Sequence, residues 1–364
     1  MLYKRLYRKN VNDSINIWMI YYEEDYYYTK YGKLGGKLIE TKPTKVTIKN
    51  VGKNNETSID EQVLNEISSI VRNKIDEGYV DDISHIKPVE FDKPMLANNY
   101  SSYDESMKFI QPKLDGIRCL ANKLDCKSRQ GKTFISFPHI EKELDILRHQ
   151  YPSIVFDGEL YNHKLNDNFN KIVSLVKKVK LTKEELIESE SLIEYHVYDM
   201  WDINNPNMTF SERFYFLTNK IRNFNYIKLV QTEPISCEND INMWFNTFTS
   251  NGYEGAIIRK DMPYEHKRSN NLLKKKEFID NEFKIIDILQ GIGNKSDVAG
   301  SVLLKDEKSN LIFKSNIKGN WEFCKDLLEN KEKYIGLLGT VKFTNLTPKG
   351  VPRFGHLISI RNYE

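Results

Sequence analysis

Lys113 stands in Phe109-Ile110-Gln111-Pro112-Lys113-Leu114-Asp115-Gly116-Ile117-Arg118, between two apolar runs that read as short strands. Pro112 ends the first run, and Asp115-Gly116 supplies the turn to the second. A primary amine at a strand end beside a tight turn has little freedom. Arg118, five residues on, is expected to favour its neutral form by like-charge repulsion. Such an amine is a nucleophile. Met alone, a Lys-x-Asp-Gly tetrad marks an exposed hairpin with a solvated lysine, so the neighbours decide its meaning.

Several other stretches carry chemistry of a matching kind. Ile154-Val155-Phe156-Asp157-Gly158-Glu159-Leu160 is an apolar run that presents Glu159 after a glycine, a placement suited to ribose hydroxyls or to a hard divalent cation. Gly252-Tyr253-Glu254-Gly255 puts a second carboxylate between glycines that let backbone and ligand approach closely. In Leu272-Leu273-Lys274-Lys275-Lys276, the period-two alternation of a strand places Lys274 and Lys276 on one face. Two ammonium groups side by side repel unless a phosphate lies between them; otherwise the triplet is a solvated edge strand. Ser128-Arg129-Gln130-Gly131-Lys132 is a polar turn whose arginine can fork onto a phosphate. Tyr195-His196-Val197-Tyr198-Asp199-Met200 alternates like a buried strand, and His196 reads as packing.

Taken together and in this order, these segments resemble the motif set of the ATP-dependent DNA ligases, within the covalent nucleotidyltransferases. Lys113-Leu114-Asp115-Gly116-Ile117-Arg118 is similar to their nucleotidyl-lysine motif. Asp157-Gly158-Glu159, Glu254-Gly255 and Leu272-Leu273-Lys274-Lys275-Lys276 are similar to the motifs that follow it. The resemblance implies that Lys113 is the catalytic residue and that Tyr198, just before an aspartate, stacks on adenine. It further implies that Gln111, Arg118, Glu159, Lys274 and Lys276 bind ATP and that Glu254, with Glu159, holds Mg²⁺ or Mn²⁺. Gln111 is expected to meet the adenine edge through its side-chain oxygen. Ser128-Arg129-Gln130-Gly131 is similar to the family's Ser-Arg-x-Gly segment, which implies that Arg129 engages the nick phosphate, with Arg118 and Arg353 also on DNA.

The 364 residues, 40% hydrophobic and 29% charged, are enough for two or three domains. The pattern reads as an α+β chain. Residues 1–80 hold strand candidates at 16–22 and 26–30. A helix follows from Ser58, whose capping box uses Glu61, with Val63, Ile67, Ile70 and Val71 on its apolar face. Tyr31-Gly32-Lys33-Leu34-Gly35-Gly36 resembles the WGR domain, with DNA contact expected through Lys33, Lys37, Lys45, Lys49 and Lys53. Residues 81–92 read as a linker and 93–283 as the adenylation (nucleotidyltransferase, ATP-grasp-like) domain. A helix there carries Phe169, Ile172, Val173 and Val176, with Lys177, Lys178 and Lys180 at its end. Residues 284–364, with five short strand candidates and one helix, read as an OB-fold β-barrel. Thr347-Pro348-Lys349-Gly350-Val351-Pro352-Arg353-Phe354 is similar to the ligases' C-terminal barrel domain. Arg353 and Arg361 match the closing motif, whose Asp-Lys-like pair has no counterpart in Asn362-Tyr363-Glu364. That leaves pyrophosphate departure to Arg361 or to lysines elsewhere.

Net charge is +3, from 54 basic and 51 acidic residues, so polyanion binding must rest on local clusters. Cys119, Cys126, Cys237 and Cys324 lack Cys-x-x-Cys spacing, which argues against a zinc ribbon and a disulfide framework and for a reducing compartment. The apolar stretches are too short for a membrane span. The expectation is a soluble, intracellular monomer acting on nicked double-stranded DNA with ATP, in the cytoplasm or where DNA is replicated, repaired or recombined. An RNA ligase, a capping-type nucleotidyltransferase and a non-catalytic DNA-end binder are the alternatives.

Overall fold

Strands Met107–Pro112 and Ile117–Ala121 form on either side of Lys113, but they do not pair with each other. Met107–Pro112 lies between Gly255–Lys260 and Glu233–Pro234, and Ile117–Ala121 lies between Ile154–Tyr161 and Cys126–Ser128. Both edges of each strand are occupied, so the expected hairpin gives way to a crossing from one sheet to another. Gly116 makes that crossing. A Cβ there would lie 2.4 Å from Leu160 O and 2.7 Å from Glu159 Cγ, a space that only a residue without a side chain tolerates.

The computed structural model describes residues 1–10, 14–52, 54–86, 93–166, 168–178, 181–347 and 349–361. Lys53, residues 87–92 of the expected linker, Lys180, Pro348 and residues 362–364 lie outside the described residues. The chain is mixed α and β and divides into two units, residues 91–277 and residues 1–90 with 278–364.

In the unit of residues 91–277, one sheet runs Ile227–Leu229, Glu194–Asp202, Ile154–Tyr161, Ile117–Ala121, Cys126–Ser128. The other runs Glu233–Pro234, Met107–Pro112, Gly255–Lys260, Arg268–Lys276, Leu96–Asn99. Alternation along the strands builds two layers of core on the first sheet. Phe156, Leu160, Tyr195 and Val197 pack with Leu144 and Leu147 of helix Pro138–Gln150 and with Ile172 and Leu175 of helix Phe169–Val176. The intervening Val155, Leu120 and Trp201 turn the other way and meet Leu272 of the second sheet. That second sheet rests Ile110, Ala256 and Ile258 on Ile241 and Phe248 of helix Glu238–Ser250. Strands buried on both faces read as nearly continuous apolar runs, which is why a charged residue inside one needs a partner.

The other unit holds two sheets. Leu2–Lys9, Ile15–Glu23, Tyr26–Lys33 and Leu38–Glu40 pair in order, and Thr44–Lys45 joins Tyr26–Lys33. Helix Ile59–Asp76 starts at the expected capping box, with Glu61 N bonded to Ser58 Oγ at 3.2 Å, and buries Val63, Ile67 and Val71 against Leu6, Trp18 and Ile20. Lys49 pairs with Glu66 at 2.7 Å and Lys45 with Asp25 at 3.4 Å, while Lys33 and Lys37 are exposed. The second sheet is a closed barrel in the order Ile279–Gln290, Ala299–Lys305, Ile312–Ile317, His356–Arg361, Leu338–Phe343, filled by Ile285, Val302, Leu304, Val341 and Leu357. Its first strand begins at Ile279, opposite Phe343. Helix Trp321–Glu329 falls between its third and fourth strands in sequence.

Replacing Gly116 with alanine is expected to lower stability by about 1–3 kcal/mol, because the new methyl strikes a strand carbonyl that cannot move aside. Denaturant unfolding checks this. Wild-type stability in Gly116→Ala would contradict the close approach.

Candidate active site

The backbone ties Lys113 to the start of strand Gly255–Lys260 from both sides: Lys113 N donates to Gly255 O (2.9 Å), and Glu254 N donates to Lys113 O (3.1 Å). The side chains follow that register. Lys113 Nζ donates to one oxygen of the Glu254 carboxylate, and Lys276 Nζ, arriving from the next strand where Lys276 faces Gly255, donates to the other. Gly255, at φ 147°, is needed here, since a Cβ would sit 2.3 Å from Lys275 O. The expected alternation of the lysine triplet is present. Lys275 turns to the opposite face, bonding Asn242 Oδ1 at 2.5 Å and lying over the rings of Tyr100 and Phe245.

Lys113, Lys274, Lys276, Glu159, Tyr198, Gln111, Arg118 and Arg129 all line one cavity of about 310 Å³, at the lower end of small-molecule sites. Glu254 anchors two of those lysines. Arg353 belongs to the barrel unit, where its guanidinium lies over the Phe354 ring. Arg129 is exposed at the cavity and makes no ion pair among the described residues. Arg268, which sequence reasoning did not single out, also lines the cavity and donates to Ala97 O at 2.6 Å.

Arg118 does not act on Lys113 as expected. Its guanidinium grips Asp157 by two bonds (Nε 2.9 Å, Nη2 2.5 Å) and donates to Met95 O, so its charge is offset there; the direct partner of Lys113 is an acid. Tyr264 completes this group with a 2.7 Å bond to Asp157. A second buried group lies under Tyr198: Asp199 accepts from Arg213 (2.7 Å) and from Arg259 (2.6 Å). Arg259 Nε reaches Gln111 Oε1 at 2.6 Å. The guanidinium groups of Arg118 and Arg259 each lie 5.7 Å from the Tyr198 ring centre. Asp157, Asp199, Arg213 and Arg259 were missed, although each is a charge in or against an apolar strand and so announced a buried partner.

The site is electrostatically split. Burial pushes the Glu159 carboxyl up to about 8; Lys113 and Arg118 oppose this without cancelling it, and Asp157 and Glu254 add to it. Tyr198 Oη approaches Glu159 at 3.4 Å. Burial would raise Glu254 too, but Lys113 and Lys276 outweigh it and hold that carboxyl below its usual range. Burial and then the neighbouring cations Lys276, Arg268 and Lys113 press Lys274 below the usual lysine range. Lys274 has no carboxylate partner among the described residues. A polyanion between Lys274 and Lys276 would relieve that repulsion. No group of three or more metal-ligating side chains occurs among the described residues. Two carboxylates beside a phosphate-seeking cavity nevertheless fit Mg²⁺, which takes one or two carboxylates and completes its shell with substrate phosphates and water.

Residues 94–276 match the family described as the ATP dependent DNA ligase domain. The DNA ligase of Haemophilus influenzae is 24% identical over 263 residues, which cover 71% of this chain and 89% of the bacterial protein. The DNA ligase of African swine fever virus (Pig/Kenya isolate) is 26% identical over an alignment of 366 residues, covering 92% of this chain and 83% of the viral protein. A solved Lig E DNA ligase shares the fold, with a TM-score of 0.62 at 21% identity, covering 74% of this chain and 100% of that one. The two facing sheets are thus of the DNA ligase nucleotidyltransferase type. The chain belongs to the ATP-dependent DNA ligase family, enzymes that use ATP to seal nicks in DNA. No helix among the described residues is long and apolar enough to cross a membrane.

The raised Glu159 carboxyl fixes the sign of a pH effect. Between about 4.5 and 8 the folded protein holds a proton there that the unfolded chain releases, so this group erodes stability as pH rises through that window. Glu159→Gln, which mimics the protonated form, is expected to gain stability relative to wild type from pH 5 to pH 8.5. Paired thermal melts check this, and a difference that stays flat across the window would contradict the burial of this carboxyl.

Proposed function

We propose that Lys113 is the nucleophile of the sealing reaction and that the cavity binds ATP. The convergence of Lys113 and Lys276 on one carboxylate, beside the Tyr198 ring and a Lys274 with no carboxylate partner among the described residues, carries the proposal. The purine stacks on Tyr198, and Glu159 faces the ribose. Lys274 and Lys276 bind the phosphates and neutralise the charge that grows on the leaving group. Lys113 Nζ, held in place by Glu254, loses its proton to solvent and attacks the α-phosphorus. The N–P bond forms as the bond to pyrophosphate breaks, leaving lysyl-AMP. A 5′-phosphate oxygen of the nick then displaces Lys113 and takes the AMP. Finally the 3′-hydroxyl attacks that phosphate, forming the phosphodiester and releasing AMP. Glu254 and Glu159 would hold Mg²⁺ or Mn²⁺, which when bound supplies further charge neutralisation at the phosphates.

Arg118, Arg129 and Arg353 are assigned to the nicked duplex, with Arg129 best placed because its fork is uncommitted among the described residues. We read residues 93–283 as the adenylation domain and 284–364 as an OB-fold barrel. Strand order one, two, three, five, four with a helix before the fourth strand supports the barrel reading, and its first strand starts slightly ahead of the boundary. Residues 1–80 serve as a WGR-like DNA-contacting module through Lys33 and Lys37, joined by the 81–92 linker. The protein acts as an intracellular monomer.

Incubation with α-labelled ATP and magnesium, followed by denaturation, is expected to leave label on wild type and none on Lys113→Ala. Retained label in Lys113→Ala would overturn the assignment. Arg129→Ala is expected to keep the label but to seal pre-adenylated nicked DNA about tenfold more slowly, the usual cost of one charge-assisted phosphate contact; equal sealing would remove Arg129 from the nick.

A further inference from the structure

Gln111 is 1% exposed, lines the cavity two residues before Lys113, and has both amide hydrogens engaged. Nε2 donates to Tyr198 O at 3.1 Å and to Thr232 Oγ1 at 2.8 Å, while Oε1 accepts from Arg259 Nε at 2.6 Å. The polarity of each contact is forced. Arginine can only donate, a carbonyl can only accept, and the Thr232 hydroxyl spends its own proton on Val230 O at 3.2 Å, so it accepts from Gln111. The orientation of a side-chain amide is ordinarily ambiguous, but here three partners agree on it. What remains of Gln111's hydrogen-bonding capacity is one lone pair on Oε1.

We propose that Arg259 and Thr232 act as positioning residues that lock the Gln111 amide with its oxygen available to the nucleotide, and so make this ligase select adenine over guanine. This rests on the reading of the cavity as the ATP site. Adenine carries an amine at C6, which donates to a carbonyl oxygen; guanine carries an oxygen there, which needs a donor. To serve guanine the amide must flip. Flipping sets Nε2 against the Arg259 guanidinium, donor against donor, and sets Oε1 against the Tyr198 carbonyl, acceptor against acceptor. Arg259 cannot swing aside, because Nη1 is held by Asp199 at 2.6 Å and the guanidinium lies 4.6 Å from the Phe210 ring centre. The Asp199 carboxylate in turn is fixed by two bonds from Arg213, at 2.7 and 3.1 Å. Purine choice thus depends on Thr232 and Arg259 acting through Gln111, and a site with a fixed acceptor rejects the mismatched analogue strongly.

The test measures label transfer to the full-length protein from α-labelled ATP and from α-labelled GTP, with magnesium, across nucleotide concentration. Wild type is expected to favour ATP by about 100-fold or more, as for other sites built around a hydrogen bond. Thr232→Val keeps the shape and loses the acceptor, freeing one amide hydrogen; it is expected to narrow the ATP-to-GTP ratio about tenfold, with the change falling on KM for ATP more than on the maximal rate. Thr232→Ser restores the hydroxyl and is expected to restore the ratio, which a merely structural role at this position would not require. Arg259→Lys keeps the charge facing Asp199 but loses the Nε contact, and is expected to narrow the ratio likewise. If it does not fold, the two Thr232 variants decide. An unchanged ratio in Thr232→Val overturns the lock. A wild-type protein that takes label from neither nucleotide overturns the ATP-site reading and the lock with it.

Discussion

One carboxylate shared by two ammonium groups sets the character of this ligase. Lys113 and Lys276 reach the cavity from different strands, and without Glu254 between them their like charges would drive both side chains toward solvent. The three groups are only 20%, 21% and 14% exposed, so water does little to screen them. Two positive charges and one negative leave an excess cation, and Lys274 adds another. The cavity therefore carries a standing demand for phosphate, in the direction that nucleotidyl transfer needs.

That clamp is the product of backbone register. Gly255 lets the strands close to the spacing at which Glu254 meets Lys276, and Gly116 lets the chain pass from one sheet to the other directly beside Glu159. In the cavity wall, Arg118 with Asp157 and Arg259 with Asp199 are buried pairs whose desolvation is costly and whose Coulomb attraction recovers only part of that cost. They are better understood as positioning devices. Each fixes the orientation of something the nucleotide is expected to meet, the Tyr198 ring in both cases and the Gln111 amide in the second.

Much of this was legible in the residues because it is local. The capping box at Ser58, the alternation that separates Lys275 from Lys274 and Lys276, and the strands of the C-terminal barrel are all encoded within a few positions. The motif order located eight of the residues that share the cavity. Two things were out of reach for the same reason: they depend on partners far along the chain. The segment around Lys113 reads as a hairpin until the competing strands, three of the four some 40 to 150 residues away, are known to occupy its edges. Arg118 reads as a neighbour of Lys113 until Asp157, from the adjacent strand, claims it. Strand Leu2–Lys9, also overlooked, alternates only weakly because Lys4 and Arg8 share the face of the buried Leu6.

The clamp itself can be observed without substrate. Lysine-selective ¹⁵Nζ NMR of the nucleotide-free enzyme reports directly on ammonium groups held by hydrogen bonds. Lys113 and Lys276 are expected to give resolved, slowly exchanging NH₃⁺ signals that are lost together in Glu254→Gln. Signals for either lysine that are indistinguishable from solvated surface lysines in the wild type, or unchanged in Glu254→Gln, would contradict the central claim.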